Sequence, residues 1–354
     1  MKCETQTLRN NRTLYFDFLR IFATLGVIII HVSSQNWYTA SVLSLEWQTS
    51  NFFDSITRWS VPIFVMISGA LFLDGNRSIK KIFQKNILRI VTSFIFWSVL
   101  YAFISYLQGS SGSSTLKKAL NGHYHMWFLF MIVGLYLIVP FVKRIVESKT
   151  LTKYFLILGL IFTVIIPDVM TVLNLLNATA SDIADSVLKN INFHFTLGYV
   201  FYFVLGYYIN KKEFSKKARH IIYALSVLGF ISTLVGSSLV STYTNEANAH
   251  FFRYLSLNVM LESLGLFVFF KYNVNPININ KKIQSIIIKL SKYSFGAYLV
   301  HALIIEQLDK LFGFNTMSFN PILANIVIIL ITFVLSYAIS YICNHIPLLN
   351  KYIV

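Results

Sequence analysis

The amino-acid sequence predicts an all-α fold, a polytopic membrane helix bundle of about ten transmembrane helices. Hydrophobic residues make up 56% of the 354-residue chain and charged residues only 12%, whereas a soluble domain carries roughly a quarter charged residues. The apolar residues fall in runs of about 20, the length that a helix needs to cross a bilayer. This composition excludes a disordered chain and disfavours a water-soluble enzyme, so the lipid bilayer is the first predicted partner.

Ten apolar runs are predicted to be transmembrane helices. In chain order they cover residues 14–32, 52–73, 87–107, 124–141, 154–173, 193–209, 221–239, 252–270, 293–311 and 321–343. The first run follows basic residues, as in a signal peptide, but Asp17 and Arg20 interrupt it. No small-residue cleavage site follows His31. We therefore expect this helix to remain in the protein.

The basic residues predict the topology of the bundle. Of the 30 Lys and Arg residues, 23 fall on the termini and one set of alternating connections, and about five on the other set. Because Lys and Arg are enriched in cytoplasmic loops, both termini are predicted to be cytoplasmic, with a short cytoplasmic segment at 1–13. The net charge of +16 is then mainly a topology signal, and no nucleic-acid partner is predicted.

The connections between the predicted helices are short. The longest outer ones, at about 33–51, 108–123 and 174–192, leave no room for a soluble domain, so residues 1–354 are interpreted as one integral-membrane domain. Cys3 and Cys343 lie near opposite termini, without the spacing of a zinc site or a redox pair. Neither a disulfide nor a metal site is predicted from them.

The first helix carries ionisable residues, which are costly within a membrane span and are therefore functional candidates. Arg20 and His31 are eleven residues apart, which places them about 20° apart in direction and about 16 Å apart along the axis. Asp17 lies at the i,i+3 pairing position of Arg20. One face of this helix is thus polar from its cytoplasmic end to its outer half. The simpler interpretation is that Asp17 and Arg20 only anchor the helix at the inner interface.

The second and fourth helices add polar candidates near the predicted outer surface. Arg58 either stabilises an oxyanion close to His31 or pairs with Asp54, four residues earlier. His125 and Trp127 begin the fourth helix, where a tryptophan is either an interfacial anchor or a platform for a sugar ring. A His-x-His pair without carboxylates is a poor zinc site, so no metal is predicted.

The eighth and ninth helices carry polar residues at helical spacing. Tyr298 and His301 share a face of the ninth helix with Ser294. Such a stripe either lines a channel or packs against other helices through hydrogen bonds. Glu262, four residues after Asn258, places a carboxylate within the eighth helix. Its role as a base, as the partner of a cation or as a substrate contact stays open.

Several of these residues lie in segments that resemble those of the bacterial membrane acyltransferase-3 family. The first is the Arg20-x10-His31 pattern on the segment that begins at Tyr15. The others are Arg58-Trp-Ser-Val-Pro-Ile-Phe-Val-Met-Ile-Ser-Gly69, His125-Met-Trp127-Phe128 followed by Tyr136 and Pro140, Phe203-Val-Leu-Gly206-Tyr207, and Ser291-Lys-Tyr-Ser-Phe-Gly-Ala-Tyr298-Leu-Val-His301. Each motif is weak alone, but five in this order over most of the chain are a specific pattern, similar to the enterobacterial common antigen O-acetyltransferase type.

The resemblance implies a multi-pass acyltransferase of the bacterial inner membrane that O-acylates a cell-surface or lipid-linked glycan. It implies no permanently bound cofactor; acyl-CoA, above all acetyl-CoA, is the expected co-substrate and enters from the cytoplasm. Asp17 and Arg20 are expected to bind this donor. His31 is expected to act as a general base or to carry the acyl group transiently, with Arg58 beside it.

The acceptor site has less specific support in the sequence. We expect the acceptor site or channel to include His125, Trp127, Glu262, Tyr298 and His301. The alternative function is an exporter or flippase of a glycan or an acylated intermediate, which needs a polar channel but not the Arg20–His31 face. The sequence specifies neither the acyl group nor the acceptor, and it leaves open whether the chain forms a homo-oligomer.

Overall fold

The computed structural model is a bundle of long α-helices and describes residues 13–75, 78–176, 198–274 and 278–354. In chain order the helices are α1 (Leu14–Ser33), α2 (Leu45–Ser55), α3 (Ser60–Asp74), α4 (Leu88–Leu107), α5 (Gly112–Asn121), α6 (Trp127–Val146), α7 (Lys149–Gly159), α8 (Ile166–Leu176), α9 (Tyr199–Lys211), α10 (Lys216–Thr244), α11 (Leu257–Asn273), α12 (Lys281–Phe312), α13 (Pro321–His345) and α14 (Pro347–Tyr352). The predicted all-helical fold is confirmed. Cys3 and most of the predicted N-terminal segment lie outside the described residues.

Short irregular turns connect some of these helices. A single turn at Ile79–Lys81 and a π-helical turn at Ile82–Ile87 lead into α4, and a second π-helical turn at Leu160–Ile165 joins α7 to α8. Single 3-10 turns at Tyr124–Met126 and His250–Phe252 precede α6 and α11. π-Helical turns are rare in proteins, and those that occur often lie at functional sites.

Eight helical segments among the described residues are long and apolar enough to cross a membrane, which indicates a multi-pass membrane protein. They are Leu14–Ser33, Leu45–Asp74, Ile79–Leu107, Gly112–Val146, Lys149–Leu173, Lys216–Thr244, His250–Asn273 and Pro321–His345.

Two of the ten predicted spans are not among the eight. The span predicted at 193–209 lies partly outside the described residues, and α9 has only 13 residues. The span predicted at 293–311 lies within α12, which has 32 residues but carries charged side chains at both ends. Residues 13–75, 78–176, 198–274 and 278–354 therefore contain eight candidate spans, where the sequence of the whole chain predicts about ten.

The second predicted span, 52–73, is interrupted near its beginning. The chain leaves the helix at Ser55, passes through a turn, and starts α3 at Ser60. Pro62 explains the break, because a proline ring within a helix removes one backbone hydrogen bond and clashes with the carbonyl four residues earlier, here that of Arg58. Arg58 therefore lies within the candidate span Leu45–Asp74, as predicted, but on the turn between α2 and α3.

The centre of the bundle is held by a close crossing of α3 and α9. A Cβ atom at Gly69 would overlap the backbone carbonyl of Phe203, and one at Gly206 would overlap the backbone of Met66. Small residues of this kind let two helix backbones approach directly in a membrane bundle. Helix α1 packs against α3 and α12 on the other side, so the polar face of α1 lies inside the bundle.

Candidate active site

Two adjoining cavities lie between α1, α3, α4, α6 and α12. The large cavity has a volume of about 580 Å³ and is lined by Arg20 among other residues. The second, which we call the histidine cavity, has a volume of about 30 Å³ and is lined by His31 and His125. Phe64, Phe128 and Tyr298 line both cavities. Three aromatic rings thus form the wall between them.

The large cavity has a strongly basic lining. The cationic residues that line it are Arg20, Lys85, Arg89, Lys292 and Lys351. None of the described residues on its lining is acidic. Lys85 belongs to the π-helical turn before α4, so the irregular backbone lies at this cavity. A basic cavity of this volume, within the range of small-molecule sites, favours an anionic ligand.

Arg20 is held in place from inside the bundle. Its guanidinium lies 3.4 Å from the Asp17 carboxylate, and the Ser291 hydroxyl donates to the same carboxylate at 2.6 Å. Asp17 is fully buried and is not among the residues that line the large cavity. The predicted pairing of Asp17 with Arg20 is confirmed. Asp17 therefore orients Arg20 and ties α1 to α12, and of the two members of the ion pair Arg20 is the one that lines the cavity.

Three histidines from three parts of the chain cluster together, and two of them, His31 and His125, line the histidine cavity. The ring centroid of His31 lies 5.1 Å from that of His301 and 6.3 Å from that of His125. The rings of His125 and His301 are 5.0 Å apart. The helical periodicity of α1 thus places Arg20 at the large cavity and His31 at the small one.

His301 presents a free lone pair within this cluster. Its Nδ1 lies 2.6 Å from the backbone carbonyl of Tyr298, and a carbonyl only accepts hydrogen bonds, so Nδ1 carries the proton. In the neutral ring Nε2 is then unprotonated, and it is buried without a hydrogen-bond partner among the described residues. The Tyr298 hydroxyl donates to the backbone carbonyl of His125 at 2.6 Å, so Tyr298 joins α12 to the start of α6.

Trp127 lies at the edge of the histidine cavity. It lines this cavity and stacks on Tyr254, with ring centroids 6.0 Å apart and an interplanar angle of 26°. Its side chain is 39% exposed. Tyr254 also lines the cavity, although the sequence offered no signal for it. Together these residues give the histidine cavity an aromatic rim.

Glu306 and Tyr101 were also not predicted, and His123 was considered only as half of an unsupported metal site. His123 contacts Glu306 through Nε2 at 2.8 Å and His125 through Nδ1 at 2.9 Å. Its ring stacks on Tyr101 with centroids 4.3 Å apart. Glu306 lies 183 positions from His123, so no local pattern could have joined them.

Arg58 lies beside the site but not on its lining. Its guanidinium forms an ion pair with Asp54, donates to the Phe252 carbonyl at 3.3 Å, and stacks on the Phe252 ring at 4.2 Å. Of the two interpretations of Arg58, the pair with Asp54 is the one in the structure. The centroid of the Tyr254 ring lies 5.7 Å from the guanidinium carbon, and Tyr254 lines the histidine cavity.

Glu262 belongs to a separate part of the bundle. One carboxylate oxygen accepts from the Thr233 hydroxyl at 2.5 Å, and Asn258 donates to that hydroxyl at 2.8 Å. Glu262 lines a side cavity of about 260 Å³ together with Trp59 and Phe230. The structure does not bring Glu262 into the histidine cluster. In the part of the chain that the structure describes, no group of three or more His, Cys, Asp or Glu residues could hold a metal ion.

The comparison with known families identifies the chain. The sequence profile of the acyltransferase domain of the acyltransferase-3 family matches residues 13–344. The chain belongs to the acyltransferase-3 family. No curated protein and no solved structure matches it with significance. Membership in the acyltransferase-3 family, together with the membrane-spanning helices, supports a membrane acyltransferase activity.

The segments on which the family resemblance was based converge in this acyltransferase-3 protein. Gly69 and Gly206 hold α3 against α9, which fixes the helix that carries Phe64. On α1, Arg20 lines the large cavity and His31 lines the histidine cavity, and Tyr298 on α12 lines both. Motifs that are far apart in the sequence thus form one continuous site.

Proposed function

We propose that this protein is a bacterial inner-membrane O-acyltransferase that moves an acyl group, most simply acetyl, from cytoplasmic acyl-CoA to a hydroxyl of a cell-surface or lipid-linked glycan. The observation that carries the proposal is the pair of adjoining cavities. A basic cavity on one side and a histidine cavity on the other share a wall of three rings, Phe64, Phe128 and Tyr298. This arrangement suits an anionic donor whose reactive end passes towards a proton acceptor.

The large cavity supports acyl-CoA as the donor. Its cations belong to the side of the bundle that is rich in Lys and Arg, which the positive-inside rule places in the cytoplasm. Guanidinium and ammonium groups bind phosphate through charge-assisted hydrogen bonds, and the nucleotide of CoA carries several phosphate charges. Arg20, fixed by Asp17, lines this cavity on the same helix that carries His31. The aromatic wall must shift for a thioester to pass.

The histidine cavity supports the transfer step. His31 takes the proton of the acceptor hydroxyl as general base, the oxygen attacks the thioester carbonyl, the carbon–sulfur bond breaks, and the CoA thiolate is protonated from the cytoplasmic side. Alternatively, His31 carries the acyl group between two such steps. Trp127, on the partly exposed rim, is the natural platform for a sugar ring.

The test uses membranes of the native host from which the gene has been deleted, with each variant supplied from a plasmid and radiolabelled acetyl-CoA as donor. We expect the wild-type chain to transfer label to a glycan and His31→Ala to lose about 10²- to 10⁴-fold in rate. His31→Gln should not restore the rate, because an amide cannot accept a proton near neutral pH. His220→Ala, at an exposed histidine on α10, is the matched control and should keep the wild-type rate.

The outcomes separate the candidate functions. Label transfer that needs His31 supports the acyltransferase. Full transfer by His31→Gln would move the base to His301 or His125. No label transfer by the wild type, combined with a glycan that fails to reach the surface in the deletion strain, would favour the exporter instead. Mass spectrometry of the surface glycan gives the acyl group directly, from the mass that each unit loses in the deletion strain.

A further inference from the structure

Three side chains that the proposed reaction does not use form an unbroken line of hydrogen bonds. Glu306 contacts His123 at 2.8 Å, and His123 contacts His125 at 2.9 Å. His125 is buried and lines the histidine cavity together with His31. The side chain of Glu306 is 32% exposed. The line therefore runs from the candidate reaction site to the surface of the bundle.

The chemistry at each point of the line suits the movement of a proton. Lys310, whose ammonium lies 3.8 Å from the Glu306 carboxylate, favours the ionised carboxylate, which accepts from Nε2 of His123. The stacked Tyr101 ring holds the His123 imidazole in this orientation. The remaining nitrogen of His125, Nε2, is buried and has no partner among the described residues. Because buried polar atoms are nearly always paired, such a nitrogen at a cavity is a position for a reactant or a water molecule.

We propose that Glu306, His123 and His125 are the proton path by which the proton of the acceptor hydroxyl leaves the reaction site. Nε2 of His125 accepts the proton, the proton on Nδ1 of His125 passes to Nδ1 of His123, and the proton on Nε2 of His123 passes to Glu306. Glu306 then releases one proton to water, so one proton enters the line and one leaves it. The proposal rests on the proposed acyl transfer.

The path serves either role of His31. If His31 is the base, its proton crosses to His125, whose ring centroid is 6.3 Å away. One bridging water spans such a gap, and the histidine cavity of about 30 Å³ has room for one. If His31 carries the acyl group, His125 takes the hydroxyl proton directly. In both cases the proton leaves at the end of the bundle that carries Lys310, which is outside in the predicted topology.

The test compares Glu306→Gln with the wild type in the same host membranes, with acetyl-CoA as donor. The amide oxygen of glutamine still accepts from His123, so the orientation of the line is kept, but glutamine cannot take the proton. We expect kcat to fall at least about tenfold with an unchanged KM for acetyl-CoA. Because Glu306 is partly exposed, 4-methylimidazole added at constant pH and ionic strength should restore kcat as a mobile proton carrier.

The control is Asp309→Asn on the same helix, whose carboxylate is bonded to Asn315. We expect its kcat to stay within about twofold of the wild-type value and not to change when 4-methylimidazole is added. A Glu306→Gln variant with the wild-type kcat would overturn the proton path. So would a reduced kcat that 4-methylimidazole leaves unchanged, because a purely structural defect is not restored by a proton carrier. If His31→Ala loses transfer while Glu306→Gln keeps the wild-type kcat, only the proton path is overturned and the acyl transfer stands. If the wild-type protein transfers no label, both proposals are overturned.

Discussion

The crossing of α3 and α9 offers a sharp test of the packing that shapes the site. The perturbation is Gly206→Ala, which adds one methyl group where the backbone of Met66 already lies. Met66 is fully buried, and so is Phe203 beside Gly206. Backbone atoms cannot turn aside as a flexible side chain does, so the two helices must move apart.

The expected loss of stability follows from two opposing effects. Forcing an extra methyl group into a well-packed core costs about 1–3 kcal/mol, and a clash with backbone belongs at the upper end of that range. Alanine is intrinsically better than glycine within a helix by about 1 kcal/mol. We therefore expect Gly206→Ala to destabilise the protein by about 2 kcal/mol.

A matched control exists in α6. A Cβ at Gly134 meets nothing within 4 Å, so Gly134→Ala should keep the gain in helix propensity of about 1 kcal/mol. The two variants then differ by about 3 kcal/mol, or about 4 °C in Tm for a chain of this length. The assay is thermal unfolding in mild detergent, followed by tryptophan fluorescence and checked by size-exclusion chromatography. If the Tm of Gly206→Ala equals or exceeds that of Gly134→Ala, α3 and α9 do not cross in backbone contact at Gly206.

Three further predictions concern the cavities and the topology. Lys292→Gln, which removes one cation from the lining of the large cavity, should raise the KM for acetyl-CoA several-fold at low salt and less at high salt, whereas Lys153→Gln, at an exposed lysine of α7, should not change it. Tyr298→Phe removes the hydrogen bond to the His125 carbonyl and should lower the free energy of unfolding by about 1 kcal/mol in the same thermal assay; unchanged stability would contradict this role. A reporter fused after Val354 should report the cytoplasm, because basic residues are concentrated on that side, and an outer location would refute the topology.

The sequence alone determined those features that depend on neighbours along the chain. The apolar runs determined the helical membrane fold, because each run is long enough to cross the bilayer by itself. The spacing of Asp17, Arg20 and His31 determined one polar face of α1, since helical periodicity is a local property. Composition could not give the number of spans, because α12 carries charges at both ends and its ability to cross the membrane depends on what surrounds it.

Only the tertiary structure decided which polar residues meet. Arg58 and Glu262 have the same sequence signal as His31, an ionisable residue in an apolar run, yet Arg58 pairs with Asp54 and Glu262 with Thr233, and neither is on the lining of the two cavities that Arg20 and His31 line. Glu306 has no motif at all and still joins His123 across 183 positions. Contacts of this kind depend on how α12 packs against α1 and on the loop before α6, and packing is set by the whole bundle, whereas a sequence pattern reports only on one helix at a time.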